Sequence, residues 1–363
     1  MFFHKELNHY PVHIQKQILH GGVSEGVEQI DIDNGVLRLA VLPTRGMNIQ
    51  RAECGNVQLK WNSPNFGPVH PSFVPLYDPS GFGWLEGFTE WFVRCGLESN
   101  GSPDFSSGGQ LVHPLHGRIA NIPARNITLN VNEATGGITL CGKVYETRLF
   151  FKKLELDTSI TTYAGSSRFT VTDKITNLSA HGGEFELLYH INTGQPFASP
   201  GSRICLPFNR MAPRSNAAAE NLPQWNILDP EMPESEEVVF FFEPAADAGG
   251  LCKVLLVNTQ GNEALQLSFR PQQLPYFCFW KSRLSDKDGY VCGLEPAVNF
   301  PNPKSFEKRH GRVVPLQPGE TKTFELTFDI FSDAAAVQKA EDAIKAVSAG
   351  AVIEQVPRQD WSA

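Results

Sequence analysis

One stretch of the sequence decides the fold class: residues 125–177 are RNITLNVNEATGGITLCGKVYETRLFFKKLELDTSITTYAGSSRFTVTDKITN. Polar and apolar residues alternate over short runs in it, such as RNITLNV and GITLCGKV, and Gly, Asn and Ser stand at the breaks between the runs. Alternation with a period of two is typical of strands that bury one face of a sheet. The stretch therefore predicts consecutive antiparallel strands.

The same pattern continues on both sides of this stretch. Upstream, the runs VEQIDI and VLRLAVL flank the turn sequence DNG, which is typical of a hairpin, and downstream GEFELLYHIN is another such strand-like segment. Because strand follows strand without intervening helices, the sequence excludes a doubly wound α/β sheet. It predicts an all-β chain that forms a large antiparallel β-sandwich.

Two places depart from the strand pattern. The segment DAAAVQKAEDAIKAVSAG is rich in Ala and has apolar residues at helical spacing, which predicts a short C-terminal helix over residues 333–349. A shorter helical turn is expected near residues 84–92.

The chain is expected to form a single domain over residues 1–363, with an N-terminal arm at 1–26, because neither a Pro- or Ser-rich linker nor an internal repeat divides it. Residues 62–82 and 210–237 are rich in Pro, Asn and Ser and are expected to be long loops over one end of the sandwich. Loops of that length in a compact domain usually shape a binding site.

Composition excludes several classes of function. The hydrophobic fraction of 41% and the charged fraction of 19% are those of a soluble globular protein, and the net charge of −8 argues against a nucleic-acid partner. Apolar runs such as VVFFF at 238–242 are far shorter than the roughly 18 residues of a membrane helix. The N-terminus carries charges where a signal peptide needs an apolar core, so a cytoplasmic protein without membrane partners is expected.

The seven cysteines are expected to be reduced and mostly buried, because they are odd in number and show no CxxC spacing. A disulfide framework or a cysteine zinc site is therefore not predicted. The sequence leaves the oligomeric state open, with a homo-oligomer among the options.

Three segments place a titratable side chain beside turn residues at the end of a predicted strand. They are HPLHGRIANIPA (113–124) with His116, ELLYHINTGQP (186–196) with His190, and GLEPAVNFPNP (293–303) with Glu295. A metal site would use His113, His116, His190 and a carboxylate. However, an HxxH pair in an extended segment points its rings to opposite faces, so general acid–base chemistry is favoured over metal binding.

In this order, the three segments resemble the aldose 1-epimerases, or galactose mutarotases. The stretch TDKITNLS (172–179) also resembles the strand that leads into the second histidine of that family. The resemblance covers roughly residues 30–330. The segments HGRIANIPA, LPTRGMNI and RCGLESNG are more similar to a bacterial branch of mutarotase-like proteins whose activities are largely unassigned.

The resemblance implies a supersandwich fold and an isomerase that acts on a small-molecule carbohydrate without a metal or other cofactor. It implies that Glu295 is the general base, that His190 is the general acid and that His116 positions the substrate. The sugar-binding arginine of the family would correspond to Arg94 or Arg45. Its aspartate has no clear counterpart, and Asp229 and Asp247 are the two options.

Three further residues are candidates for substrate binding. In FCFWKSR, strand alternation places Lys281 on the face opposite Trp280, whose indole could pack against a sugar ring. Glu98 in RCGLESNG could bind sugar hydroxyls. Two alternatives stay open: a sugar-binding or sensing protein without turnover, and a carbohydrate hydrolase or lyase, although the sequence shows no obvious second carboxylate for a hydrolase.

Overall fold

Two large sheets packed face to face make up most of the structure, a computed structural model that describes residues 2–347 and 350–363. The strands, in chain order, are β1 (Phe2–Leu7), β2 (Tyr10–Ile18), β3 (Glu28–Asp33), β4 (Leu37–Leu42), β5 (Asn48–Cys54), β6 (Val57–Leu59), β7 (Phe92–Leu97), β8 (Asp104–Phe105), β9 (Leu111–His113), β10 (Arg125–Asn132), β11 (Gly137–Thr147), β12 (Lys153–Tyr163), β13 (Arg168–Asn177), β14 (Gly183–Gly194), β15 (Arg203–Cys205), β16 (Phe208–Pro213), β17 (Val238–Pro244), β18 (Cys252–Val257), β19 (Ala264–Phe269), β20 (Tyr276–Ser282), β21 (Val291–Ala297), β22 (Val314–Leu316), β23 (Thr321–Phe331) and β24 (Val352–Ile353). The helices are α1 (Asn216–Glu220), α2 (Lys304–Arg309) and α3 (Ala334–Lys345).

The larger sheet has the strand order β1-β2-β3-β4-β5-β7-β14-β21-β20-β17-β16-β24, with β6 paired to β5 and β22 paired to β14. The second sheet has the order β10-β11-β12-β13-β23-β19-β18-β15, and β8 and β9 form a small separate pair. Neighbouring strands are antiparallel except for the parallel pair β16 and β24. The predicted antiparallel β-sandwich is confirmed.

The stretch at 125–177 forms four consecutive antiparallel strands, β10 to β13, of the second sheet. Its alternation reappears as burial, because Leu140, Ile160 and Val171 face the core at paired positions while their neighbours lie nearer the solvent. These residues meet apolar side chains of the larger sheet in one hydrophobic cluster. Burial of this cluster is the main source of stability.

The terminal segments differ in part from what the sequence predicts. The expected N-terminal arm contains β1 and β2, which join the edge of the larger sheet through β3. The C-terminal helix is present as α3, and the Asp333 side chain caps it by accepting a hydrogen bond from the amide of Ala336. The expected last residues of this helix, 348 and 349, lie outside the described residues.

The expected loops and the short turn are found with different boundaries. Residues 62–82 contain no strand, whereas 210–237 include the end of β16 and helix α1, so only part of that segment is loop. A 3-10 helix over Gly83–Gly87 occupies the region of the expected turn. Within 2–347 and 350–363, no helix is both long enough and apolar enough to cross a membrane.

The central strands of the larger sheet place different side chains on the two faces of the sheet. On one face Tyr189 of β14, Leu294 of β21 and Phe279 of β20 are fully buried in the cluster between the sheets. Because strand side chains alternate, the next residues along these strands, His190, Glu295 and Trp280, point to the opposite face. That face carries the candidate site.

Candidate active site

A cleft of about 480 Å³ lies on the face of the larger sheet that points away from the core. Much of its wall is aromatic: Trp61, Trp84, Phe88 and Trp280 line it. The polar side chains of the cleft include His116, His190, Arg214, Glu237, Asp288 and Glu295. A mostly apolar concave surface with a few convergent polar groups is typical of a small-molecule site.

The structure brings the histidines and the glutamate of the three sequence segments together in this cleft. Nε2 of His190 lies 3.2 Å from Oε1 of Glu295, and both side chains are largely buried. The rings of His116 and His190 meet edge to face, with their centroids 5.4 Å apart. The three side chains therefore line the same cleft, with His190 next to both His116 and Glu295.

Asn192 determines which nitrogen of His190 carries the proton in the neutral ring. The amide nitrogen of Asn192 donates to the carbonyl oxygens of Glu90 and His190, at 3.0 and 3.2 Å, so its Oδ1 is left to face Nδ1 of His190. An amide oxygen only accepts hydrogen bonds, so Nδ1 must be the protonated nitrogen. The neutral ring of His190 therefore offers an unprotonated Nε2 towards Glu295.

Burial shifts the acidities of Glu295 and His190 in opposite directions. It raises the pKa of the Glu295 carboxyl well above its ordinary value, and the negative charge of Glu237 adds to this effect while Arg214 opposes it. Burial also lowers the pKa of His190 well below its ordinary value, and the neighbouring His116 lowers it further. Both shifts favour a neutral pair, in which Glu295 holds the proton and His190 is an unprotonated base.

His116 is also held neutral in a fixed orientation. Its Nδ1 lies 2.8 Å from the carbonyl oxygen of Asn100 and donates to it, which leaves Nε2 as an acceptor. Burial lowers the pKa of His116 to about 4. At the adjacent Gly117, a Cβ would lie 2.1 Å from the carbonyl oxygen of Ser99, so this glycine is needed for close packing of the backbone.

The absence of a side chain at Gly293 leaves room for the contact between Glu295 and His190. Gly293 lies on β21 and is paired with Trp280 of β20. A Cβ at this position would lie 2.6 Å from Oε1 of Glu295, 3.0 Å from Cε1 of His190 and 3.2 Å from Cε3 of Trp280. A larger residue would therefore push these side chains apart.

A family model described as a domain of unknown function, DUF4432, matches residues 24–330. The chain belongs to the DUF4432 family. No protein of curated function matches the sequence significantly.

Solved structures described as candidate aldose 1-epimerases or mutarotase-like proteins are similar to this DUF4432 protein. A candidate aldose 1-epimerase from Klebsiella pneumoniae is 32% identical and superposes with a TM-score of 0.92, over 96% of this chain and 91% of that one. A galactose mutarotase-like protein from Clostridium acetobutylicum has a TM-score of 0.61 at 14% identity, over 88% of this chain and 98% of that one. A candidate aldose 1-epimerase from Escherichia coli K12 has a TM-score of 0.55 at 16% identity, over 84% and 99%. The resemblance seen in the sequence is confirmed.

The two arginines that the sequence offered as sugar ligands lie outside the cleft of this DUF4432 protein. Arg94 is fully buried between the sheets, where its guanidinium binds both carboxylate oxygens of Asp173 at 2.6 and 3.0 Å. Arg45 is also fully buried, and its Nε donates to Glu90 at 2.8 Å. Arg94 links β7 to β13, whereas Arg45, in the turn after β4, binds the segment that precedes β7. The donors of both side chains are directed to protein acceptors instead of the cleft.

Three other sequence candidates are also placed away from the cleft. Lys281 lies on the core side of β20 and forms a buried ion pair with Asp229 at 2.8 Å. Glu98 does not line the cleft, and its carbonyl oxygen accepts a hydrogen bond from Lys304. Asp247 lies in the turn before β18 and pairs with Lys253 at 2.9 Å. Trp280, in contrast, lies in the wall of the cleft, with its ring centroid 5.3 Å from that of His190.

Two functional candidates, Arg214 and Glu237, were missed at the sequence level. Both line the cleft of this DUF4432 protein, and they form an ion pair at 2.9 Å. They lie between predicted strands, in a segment without a pattern that singles them out. The signal that was available is indirect: both lie within residues 210–237, a segment expected to shape a binding site.

His113, which the alternative metal site would use, lies away from the cleft. His113 pairs with Asp104 across β8 and β9 and does not line the cleft with His116. Among residues 2–347 and 350–363, no group of three or more His, Cys, Asp or Glu side chains is arranged to hold a metal ion.

Proposed function

We propose that this protein interconverts the anomers of a sugar by opening and closing its ring. The observation that carries the proposal is the contact between Glu295 and His190, two groups with opposite pKa shifts at the base of a sugar-sized cleft. The fold of candidate aldose 1-epimerases supports the same reaction class. The substrate is a small carbohydrate, and the reaction needs no change in oxidation state.

Ring opening requires two proton transfers, one at each of the two oxygen atoms bonded to C1. In the reactive form, Glu295 is a carboxylate and His190 is protonated on Nε2, a form reached from the neutral pair by moving one proton over 3.2 Å. Glu295 takes the proton of the anomeric hydroxyl while His190 gives its Nε2 proton to the ring oxygen. The bond between C1 and the ring oxygen breaks, and the C1 carbonyl forms. Rotation about C1–C2 and the reverse steps give the other anomer.

The pKa shifts favour both transfers in the direction of ring opening. A carboxyl whose pKa is raised by burial is a stronger base once it is ionised, and an imidazolium whose pKa is lowered is a stronger acid. After ring opening, Glu295 is again a carboxylic acid and His190 is neutral, which is the stable form of the pair. Each positioned acid or base of this kind typically contributes about 10²- to 10⁴-fold to the rate.

The remaining cleft residues are suited to holding a sugar. The ring centroids of Trp280 and Phe88 lie 5.3 and 5.2 Å from that of His190. Both rings offer apolar surfaces for the C–H face of a pyranose. The free Nε2 of His116 can accept a hydrogen bond from a sugar hydroxyl. These contacts support a substrate-positioning role for His116 and a sugar-stacking role for Trp280.

The decisive experiment measures anomer exchange by NMR across aldoses, ketoses and uronates for the wild type and for Glu295→Gln. Gln keeps the shape of the side chain but is not a base, so we expect kcat to fall by at least about 10²-fold while sugar binding persists. The matched control is Glu325→Gln, the same change at an exposed site on β23 of the other sheet. Equal, accelerated exchange in the wild type and Glu295→Gln would remove Glu295 as the base, whereas binding without exchange above the spontaneous rate in the wild type would support a binding protein without turnover.

One structural observation favours a second candidate function, glycoside hydrolysis. Glu237 and Asp288 also line the cleft, so Glu295 does have carboxylate neighbours of the kind a hydrolase requires. However, both oxygens of Glu237 already accept hydrogen bonds, from Arg214 and from the indole of Trp280. We therefore expect no release of nitrophenol from nitrophenyl glycosides, and measurable release that is lost in Glu237→Gln would favour the hydrolase.

A further inference from the structure

Glu237 connects three segments at the cleft. Its Oε1 accepts a hydrogen bond from Nη1 of Arg214 at 2.9 Å, and its Oε2 accepts one from Nε1 of Trp280 at 2.8 Å. Arg214 follows β16, Glu237 precedes β17 and Trp280 lies on β20, so one carboxylate joins three neighbouring strands at the wall of the cleft. All three side chains line the cleft.

The charges in the cleft do not favour an anionic ligand. Arg214 is the one Lys or Arg side chain among the described residues that line the cleft, and Glu237 neutralises it. His116 and His190 are held neutral by burial, so they supply no compensating positive charge. Asp288 adds a further negative charge. A sugar that carries a carboxylate, sulfonate or phosphate would therefore find the guanidinium of Arg214 already paired, and the negative charge of Glu237 would repel it.

We propose that Glu237 is a specificity-determining residue that restricts the cleft to uncharged sugars and excludes sugar acids. This inference rests on the proposed function, because it concerns the substrate of the same site. Glu237 acts in two ways: it occupies the guanidinium that would otherwise bind an anion, and its own charge repels one. Arg214 and Glu237 together remain able to donate to and accept from neutral hydroxyls.

The test compares sugars that differ only in charge. Glucose and glucuronate, and galactose and galacturonate, share a ring and differ by an alcohol or a carboxylate at C6. The ratio of kcat/KM for the neutral sugar to that for the acid is measured by NMR exchange. We expect the wild type to favour the neutral member of each pair, and we expect added salt to reduce the ratio because it screens the repulsion.

Two variants should change this ratio in opposite directions. In Glu237→Gln, the amide oxygen can still accept from Trp280, but Arg214 is no longer neutralised, so we expect the ratio to fall by about 3- to 10-fold. In Arg214→Gln, the charge of Glu237 is unopposed, so the ratio should rise. The matched control is Glu236→Gln, because Glu236 is exposed and its side chain does not line the cleft. The ratio in this control should equal that of the wild type.

The outcomes separate this inference from the proposed function. Equal kcat/KM for both members of a pair in the wild type, or an unchanged ratio in Glu237→Gln and Arg214→Gln, overturns the role of Glu237 and leaves anomer exchange standing. Exchange of none of the sugars overturns the proposed function. In that case, the same ratio is obtained from Kd values measured by quenching of tryptophan fluorescence, and a preference for the neutral sugar that Glu237→Gln reduces still supports the charge selection.

Discussion

Oε1 of Glu295 lies 3.2 Å from Nε2 of His190, across the neighbouring strands β21 and β14. Transfer of a proton over this distance converts a neutral pair into an ion pair, and both forms have the same total charge. Ring opening, as proposed, starts from one form and ends in the other. The buried site therefore neither gains nor loses net charge during the reaction, which avoids the large free-energy cost of an isolated charge in an apolar region.

The pH dependence of the exchange rate should have a wide plateau. The reactive pair holds one proton: at low pH His190 and Glu295 are both protonated and there is no base, and at high pH both are unprotonated and there is no acid. Because the pKa of His190 is lowered and that of Glu295 is raised, the plateau should cover neutral pH. The measurement is kcat/KM against pH. An acid limb centred near 6.5, the ordinary value for histidine, would contradict the lowered pKa.

Glu295→Gln should be more stable than the wild type, and the difference should grow as pH rises. Since the folded pKa of Glu295 is raised, the folded state holds the proton more tightly than the unfolded state, and stability is lost as pH rises from about 4.5 towards the folded pKa. Gln has no such proton. The gain in unfolding free energy should approach about 1.4 kcal/mol per pH unit in this range, measured by urea unfolding. A constant difference at all pH values would be inconsistent with a buried neutral carboxyl.

Replacement of Arg94 should affect stability and leave substrate affinity unchanged. Arg94→Met leaves the carboxylate of Asp173 buried without its cation, which should cost about 3–5 kcal/mol of unfolding free energy. The double variant Arg94→Met with Asp173→Asn should recover part of this loss, because the unpaired charge is gone. The measurements are urea unfolding and KM. A higher KM at unchanged stability would restore Arg94 as the sugar ligand that the sequence suggested.

Anomer exchange should be insensitive to chelators. The groups assigned to proton transfer are Glu295 and His190, and His113, the first histidine of the HxxH segment, does not line the cleft. Incubation with EDTA followed by gel filtration should leave kcat unchanged. Loss of activity that zinc or manganese restores would require a metal-dependent mechanism in place of the one proposed.

The sheet and the three segments of the cleft follow from local sequence patterns. Alternation over 125–177 is visible in the sequence because each strand there buries one face and exposes the other. The same rule predicts that Lys281 and Trp280 point to opposite faces of β20, so one of them had to lie outside any shared cleft. The structure places Trp280 in the cleft and Lys281 on the core side.

The parts that could not be predicted depend on partners that are distant in the sequence. The residues that neighbour an arginine in the sequence do not show whether its guanidinium is free to bind a ligand. They do not indicate that Arg94 pairs with Asp173 or that Arg45 pairs with Glu90 inside the fold. Glu237 was missed for the same reason, since its importance comes from Arg214 and Trp280, which belong to other segments. Tertiary pairing, which sequence periodicity does not report, decides the role of these charged residues.

The residue at position 293 determines whether the carboxyl of Glu295 and the imidazole of His190 can be in contact. A related chain with any larger residue at this position must separate the carboxyl from the imidazole, since the space beside both is already filled. Such a chain could keep the sandwich and the aromatic cleft and still lose direct proton exchange between the two groups. On the proposed mechanism, a larger residue at this position in a relative is expected to accompany slower anomer exchange with sugar binding retained.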